Sequence, residues 1–178
     1  MNTEAGTIIA AAGLTMEFLK NVLESMASVS GKIAISIGNE TPYNWEAVNA
    51  YFHSGAANEV LPEFVSKGGV ALYTAQKTEG PVPTGVEGVF TYYMAGADKT
   101  VAVMFSVPFS YNPSDNWWDV RIYRERKKAD SEMYNSMYSH TSPFKGDDGW
   151  HTKVADGFQI KGTMTRGGKC AMKLRITK

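Results

Sequence analysis

GKIAISIGN, residues 31–39, is where the chain changes its period. Ile33, Ile35 and Ile37 alternate with Lys32, Ala34 and Ser36, the two-residue repeat of a strand with one face buried. Gly38 and Asn39 are turn residues and are expected to end it. Similar runs follow at 45–52, 70–73, 86–94, 100–107 and 117–123. Turn signals separate them: Gly55, Lys67-Gly68-Gly69, Gly80-Pro81, Gly96 and Asn112-Pro113. Residues 158–165 and 169–177 read as a closing hairpin turned at Arg166-Gly167-Gly168. Residues 129–139 read as a short helix stopped before Pro143. Many short strands with regular turns predict a sandwich or barrel, and a pair of sheets of this length uses the whole chain. There is no repeat, linker or low-complexity segment to divide the 178 residues.

Upstream of Gly31 the period is helical. Leu14, Phe18, Val22 and Met26 recur every four residues, and Leu19 and Leu23 widen the stripe. Glu17, Lys20, Asn21 and Glu24 take the other side. Thr15 is placed to cap the helix, with Glu17 near the positive end of its dipole. The plain expectation is an amphipathic helix packed on a core. Two features add a second expectation. The segment lies near a chain end, where an element can detach without tearing the fold. Residues 4–26, as one continuous helix, would also span roughly 35 Å, against about 30 Å for the hydrocarbon of a bilayer. Its acids and Lys20 are too many for lipid on every side, but they suit a face that lines water. Gly6 and Gly13 weaken any such helix in water.

Composition excludes several classes. With 43% apolar and 20% charged residues the chain is globular, not disordered. Lys plus Arg equals Asp plus Glu at 18 each, so no global charge draws nucleic acid. The single cysteine, Cys170, has no internal disulfide partner, and on a strand it reads as a small apolar residue. No run reaches 18 apolar residues. The N-terminus lacks a basic region followed by a long apolar one. The expectation is either no signal peptide or a mature end behind an added Met1. His53, His140 and His151 share no ligand spacing, and no phosphate loop, dinucleotide fingerprint or nucleophile elbow occurs. No metal, cofactor or catalytic residue is therefore expected. Residues 147–151, DDGWH, tempt a carboxylate–histidine reading. The plainer expectation is a polar turn carrying one buried Trp.

One more stretch stands out. FSVPFSYNPSDNWW, residues 105–118, sets Phe105, Phe109, Tyr111, Trp117 and Trp118 among Pro108, Pro113 and polar turn residues. Tyr123, Tyr134 and Tyr138 follow soon after. Large aromatics on a turn-rich loop cannot all be buried by it, and Trp and Tyr suit a boundary between water and something apolar. Neighbours on a strand face opposite sides, so Trp117 and Trp118 are not both expected to point inward. The basic run 121–128, RIYRERKK, could attract anionic headgroups if it lies beside this loop.

AGLT (12–15), KIAISIGNE (32–40), AYFHSG (50–55), GPVPTGV (80–86), VMFSVPF (103–109), NWWDVRIY (116–123) and GDDGWH (146–151) together resemble the actinoporins, pore-forming cytolysins best known from sea anemones. The resemblance covers essentially the whole chain. It implies a mainly β, single-domain sandwich flanked by two helices, with a detachable amphipathic N-terminal segment at 1–28 ahead of a sandwich at 29–178. It implies a secreted protein, in some cases stored in a nematocyst, that is monomeric in solution and docks on target membranes. The protein would then oligomerise and insert its first helix, through Leu14, Phe18, Val22, Leu23 and Met26, as a cation-permeable pore. It implies a phosphocholine site at Ser54, Val86, Ser106, Pro108, Tyr134 and Tyr138, with a membrane interface at Tyr111, Pro113, Ser114 and Trp117. Several positions depart from the family. Pro113 and Ser114 stand where an aromatic pair is usual, Ser139 replaces a second tyrosine, Gly31 replaces a basic residue, and Lys145-Gly146-Asp147 replaces Arg-Gly-Asp. Each lost ring removes about 0.5–2 kcal/mol of cation–π attraction. The expected lipid is thus sphingomyelin or another sphingolipid such as sulfatide. The competing expectations are a lectin-like lipid- or carbohydrate-binding module on the same fold without lysis, and a hydrolase at 147–151 for which no nucleophile speaks.

Overall fold

The strand-forming runs pair into two sheets, and the helices lie on their outer faces. The computed structural model describes residues 14–28, 30–82, 84–109, 115–140 and 142–178, with the backbone of 3–4 and 7–9. In chain order the elements are β1 (Thr3–Glu4), β2 (Thr7–Ile9), α1 (Met16–Ser25), β3 (Lys32–Glu40), β4 (Trp45–Ser54), β5 (Ala56–Ala57), β6 (Phe64–Val65) and β7 (Gly69–Gln76). They continue as β8 (Val86–Met94), β9 (Lys99–Val107), β10 (Trp117–Arg124), α2 (Ser131–Ser139), β11 (Phe144–Lys145), β12 (Trp150–Ala155), β13 (Phe158–Met164) and β14 (Lys169–Thr177). Among the described residues one sheet has eight strands, in the order β1-β2-β7-β3-β14-β13-β12, with β5 also on β7. The other has six, in the order β11-β10-β9-β8-β4-β6. Within them β3 and β14 form the parallel pair.

The main core fills the space between the sheets. Ile33, Ile35 and Ile37 enter it from β3, and Phe90 and Phe105 meet them from β8 and β9. Each such side chain contributes about 1.5–3 kcal/mol on burial. β3 runs on through Gly38 and Asn39, past its expected end. β7 pairs with it as far as Gly38 and β14 as far as Glu40, and the buried Asn39 amide donates to the carbonyls of Tyr43 and Val65 at 2.8 and 3.0 Å. Asn39 thus organises the turn that follows the strand. The expected buried Trp at 150 is also corrected. Trp150 opens the edge strand β12, stands 48% exposed, and carries the Lys161 ammonium 5.0 Å from its ring.

The helix expected at 14–26 forms as α1. The Thr15 side chain accepts from the Phe18 amide at 3.1 Å, as the capping reading requires. Leu14, Leu19 and Leu23 pack on Ala34, Val70 and Ala171 of the eight-stranded sheet. The stripe is therefore centred on Leu19 and Leu23, while Phe18 stays 40% exposed at its rim. The last turn of α1 carries no basic residue. The buried Lys32 supplies one from the sheet, its Nζ donating to the Leu23 carbonyl at 2.6 Å. The chain turns between helix and strand at Gly31, whose φ of 69° suits glycine. On the opposite side Asp130 caps α2, and Met133, Tyr134 and Met137 pack on Val89, Ala102 and Met104 of the six-stranded sheet.

The parallel pair is tied at one end by Glu40. Arg175 donates to it at 2.8 and 3.2 Å and Thr177 at 2.9 Å. The Arg175 hydrogen bond holds the Glu40 carboxyl below its ordinary value of 4.5, with help from Thr177. A carboxyl depressed in the folded state adds stability above pH 4.5 that is lost as pH falls through its folded value. Glu40→Gln is expected to cost about 1 kcal/mol or less at neutral pH, since the pair is partly exposed. In melting curves taken from pH 7 to pH 3, the gap between wild type and variant should close below pH 4.5. A gap that stays constant would remove Glu40 from the acid response.

Candidate headgroup-binding face

Strand register builds the site. Ser54 of β4 pairs with Glu87 of β8, Glu87 with Ser106 of β9, Ser106 with Trp117 of β10, and Trp117 with Lys145 of β11. Directly paired residues point to the same face. Five side chains thus form one row across the six-stranded sheet, on the face that carries α2. Tyr134 descends onto this row from α2, and its hydroxyl donates to Glu87 Oε2 at 2.8 Å. Burial, and then the Glu87 carboxylate, push the Tyr134 phenol well above its ordinary range. Ser106 Oγ lies beside that phenol, fully buried and without a partner in hydrogen-bonding geometry.

A register shift between Phe52 and Ser54 frees His53 from the ladder. Its ring stacks on Tyr134 at 5.1 Å, and Tyr138 stacks on Tyr134 at 5.8 Å. Tyr134 is 2% exposed, so in this stack Tyr138, at 39%, is the tyrosine that meets solvent. At the end of the row the Ser54 hydroxyl donates to the Gly85 carbonyl at 3.1 Å. A Cβ at Gly85 would meet the Val107 carbonyl and come within 2.7 Å of the Pro108 Cα. Only glycine lets the start of β8 approach Pro108 this closely.

The structure thus brings Ser54, Ser106, Tyr134, Tyr138 and Trp117 together, with Pro108 beside them. Val86 differs from the rest. Its side chain is fully buried in the inter-sheet core and faces away from the row. Strand alternation gives the outward-facing position to Glu87, and the same alternation in the sequence could have found it. His53 was likewise missed, because a bulge cannot be read from period alone. Tyr111, Pro113 and Ser114 lie outside the described residues. Trp117 is partly exposed, while Trp118 is buried against Phe144, with ring centroids 4.7 Å apart.

Of the basic run only its first residue joins this face: Arg121 donates to Ser136 of α2 and to the Tyr123 hydroxyl, both at 3.0 Å. From Trp117 to Arg124 β10 rises roughly 23 Å, which sets Arg124 to Lys128 at the other end of the sheet. There Arg126 lies over Tyr93 and pairs with Glu46, and Lys127 lies over Tyr123. At 147–151, Asp147 accepts from His151 at 2.9 Å and from the Gly149 amide at 3.0 Å. The His151 contact lowers the Asp147 carboxyl below its ordinary value. With Phe144 stacked on His151 at 5.1 Å, the pair pins the loop that carries β11. Cys170 is buried on β14, its thiol pushed up to about 12 by burial. Among the described residues no group of three His, Cys, Asp or Glu side chains could hold a metal ion.

Comparison with known proteins gives this fold its relatives. A family described as sea anemone cytotoxic protein matches residues 3–178. DELTA-stichotoxin-Hcr4a of Radianthus crispa is 46% identical over 175 residues, covering 98% of this chain and 99% of that protein. Nigrelysin of Anthopleura nigrescens is 44% identical over 175 residues, covering 98% of this chain and 81% of that one. Among solved structures the lipid-binding protein Nakanori superposes with a TM-score of 0.73 at 12% identity, over 92% of this chain and 79% of that one, and so shares the fold.

Proposed function

The chain belongs to the sea anemone cytotoxic proteins, the actinoporins, and from that membership we propose that it is a secreted pore-forming cytolysin. It docks on a target membrane through the row from Ser54 to Trp117 and the tyrosines of α2. Monomers in solution then oligomerise on the bilayer, and residues 1–28 leave the sandwich of 29–178 to line a cation-permeable pore. The observation that carries this reading is how α1 is held. It lies outside both sheets, held by Leu14, Leu19 and Leu23, by the Lys32 side-chain bond to its last turn and by an exposed Lys169–Glu24 ion pair at 3.8 Å. It can therefore leave while the core between the sheets stays closed.

At ten residues α1 is about 15 Å long, half a bilayer's hydrocarbon. No helix among the described residues is long and apolar enough to cross a membrane. Insertion thus requires the chain before Met16 to join the helix, including Thr7–Ile9, whose backbone pairs with β7 in this state. Detachment of α1 and release of that strand from β7 are one event in this mechanism.

The first lipids to compare are two sphingolipids of unlike headgroup charge, sphingomyelin and sulfatide. Dye release and pelleting are measured with phosphatidylcholine vesicles carrying one or the other. Release at low protein concentration is expected from at least one set. Pelleting without release from either would make the chain a lipid- or carbohydrate-binding module and overturn the pore reading.

A further inference from the structure

At the centre of the headgroup-binding row stands a carboxylate. Glu87 lies between two hydroxyl-bearing neighbours, Ser54 and Ser106, and is half-buried. One of its oxygens accepts from Tyr134 at 2.8 Å, and among the described residues no lysine or arginine forms an ion pair with it. Its other oxygen accepts no hydrogen bond among the described residues. The two serines add acceptors. Ser54 spends its hydrogen on the Gly85 carbonyl, and the buried Ser106 Oγ has no partner. Lys145, at the far end of the row, is held against Asp115 at 3.9 Å. Around Glu87 the row therefore offers negative charge and lone pairs, which favour a ligand that brings positive charge and N–H donors.

The aromatic groups favour the same ligand. A trimethylammonium group is held chiefly by open ring faces. Tyr134 presents none, being 2% exposed with His53 and Tyr138 stacked on it. A primary ammonium needs no cage. Its three hydrogens reach carboxylate and hydroxyl oxygens at about 2.8 Å, whereas a methyl shell holds a quaternary nitrogen roughly an ångström or more farther out, so the charge-assisted bond is lost. A sulfate or other anionic headgroup would face Glu87 with like charge.

We propose that Glu87 is the specificity-determining residue of this face, and that its carboxylate selects a phosphoethanolamine headgroup over choline and over sulfate. This rests on the headgroup-binding reading given above. The same headgroup occurs on ceramide phosphoethanolamine and on phosphatidylethanolamine, and the experiment includes both.

Binding is measured by pelleting with phosphatidylcholine vesicles carrying equal fractions of ceramide phosphoethanolamine, phosphatidylethanolamine, sphingomyelin or sulfatide. Wild type is expected to reach half-binding on an ethanolamine set at about tenfold lower protein concentration than on sphingomyelin, the gain of one charge-assisted contact. Preference for both ethanolamine sets assigns recognition to the headgroup alone. Preference for the ceramide form adds the sphingoid backbone to what is read. Glu87→Gln keeps an acceptor for Tyr134 and removes the charge, so it is expected to erase the preference while its melting temperature stays close to wild type. A wild type that favours sphingomyelin or sulfatide, or a Glu87→Gln variant that keeps the ethanolamine preference, overturns the role of Glu87 and leaves the headgroup reading standing. A folded wild type that pellets with none of the four sets overturns that reading, and this inference with it.

Discussion

A disulfide that ties α1 to β7 is expected to abolish dye release and leave vesicle pelleting unchanged. Val22 and Leu72 are suitable positions, since both pack on the α1 cluster and wall the same cleft. Neither belongs to the row from Ser54 to Trp117, which lies on the other sheet, so docking has no reason to change. Detachment already costs the burial of Leu14, Leu19 and Leu23 and the Lys32 bond to the Leu23 carbonyl. A covalent clamp adds several kcal/mol, and at 1.4 kcal/mol per decade release should fall by about a hundredfold or more. Reductant should restore it within the same sample. Cys170 does not confuse the experiment, because its thiol is buried and its raised pKa keeps it protonated and slow to exchange. Full release by the oxidised, clamped protein would sink the detachment mechanism.

The sequence reveals the fold well because the two periods are clean. Leu14 to Met26 follows the helical period and lands on α1, with Thr15 at its cap. Residues 86–94 and 169–177 are strands with the expected bounds. The failures have physical causes. Asn39 is a turn residue by propensity, but pairing with β14 and two carbonyl acceptors override propensity. β12 was missed because its exposed alternation of Trp150, Thr152 and Val154 carries no buried face. An edge strand paired on one side need not show one.

The site was less legible than the fold, for a related reason. A binding face is a set of neighbours across strands, and sequence shows neighbours along them. Ser54, Ser106 and Trp117 are 63 positions apart from first to last, yet register sets them in one row with Glu87. A family resemblance supplies the residues but not the side each one faces. Val86 and Glu87 differ by one position, and that step exchanges the core for the outer face that carries α2. His53 needed the bulge as well as the register. Of the basic run, Arg121 reaches α2 through Ser136, while the rise of β10 carries Arg124 to Lys128 to the far end of the sheet.

Trp117 and Trp118 carry the same ambiguity, and alanine at each should fail in a different way. Trp118 is fully buried between the sheets, stacked near Phe144 and pressed on Gly162, where a Cβ would come within 2.6 Å of its ring. Trp118→Ala leaves a cavity no neighbour can fill, at a cost of about 3–5 kcal/mol. For a chain of this size that is a drop in melting temperature of roughly 6–20 °C. Trp117 sits at the end of the headgroup row, partly exposed, paired with Ser106 and Lys145. Trp117→Ala should change stability by about 0.5 kcal/mol or less. It should instead weaken vesicle binding by about tenfold or more, because an interfacial indole contributes a large apolar face together with a polar edge. Thermal unfolding and pelleting on the same two variants decide the matter. If Trp117→Ala melts early and binds normally, Trp117 is a core residue and the docking face lies elsewhere on the sandwich. If Trp118→Ala melts like wild type but loses binding, the inner face of β10 is the one that opens to the membrane, and the row from Ser54 to Trp117 is not the docking surface.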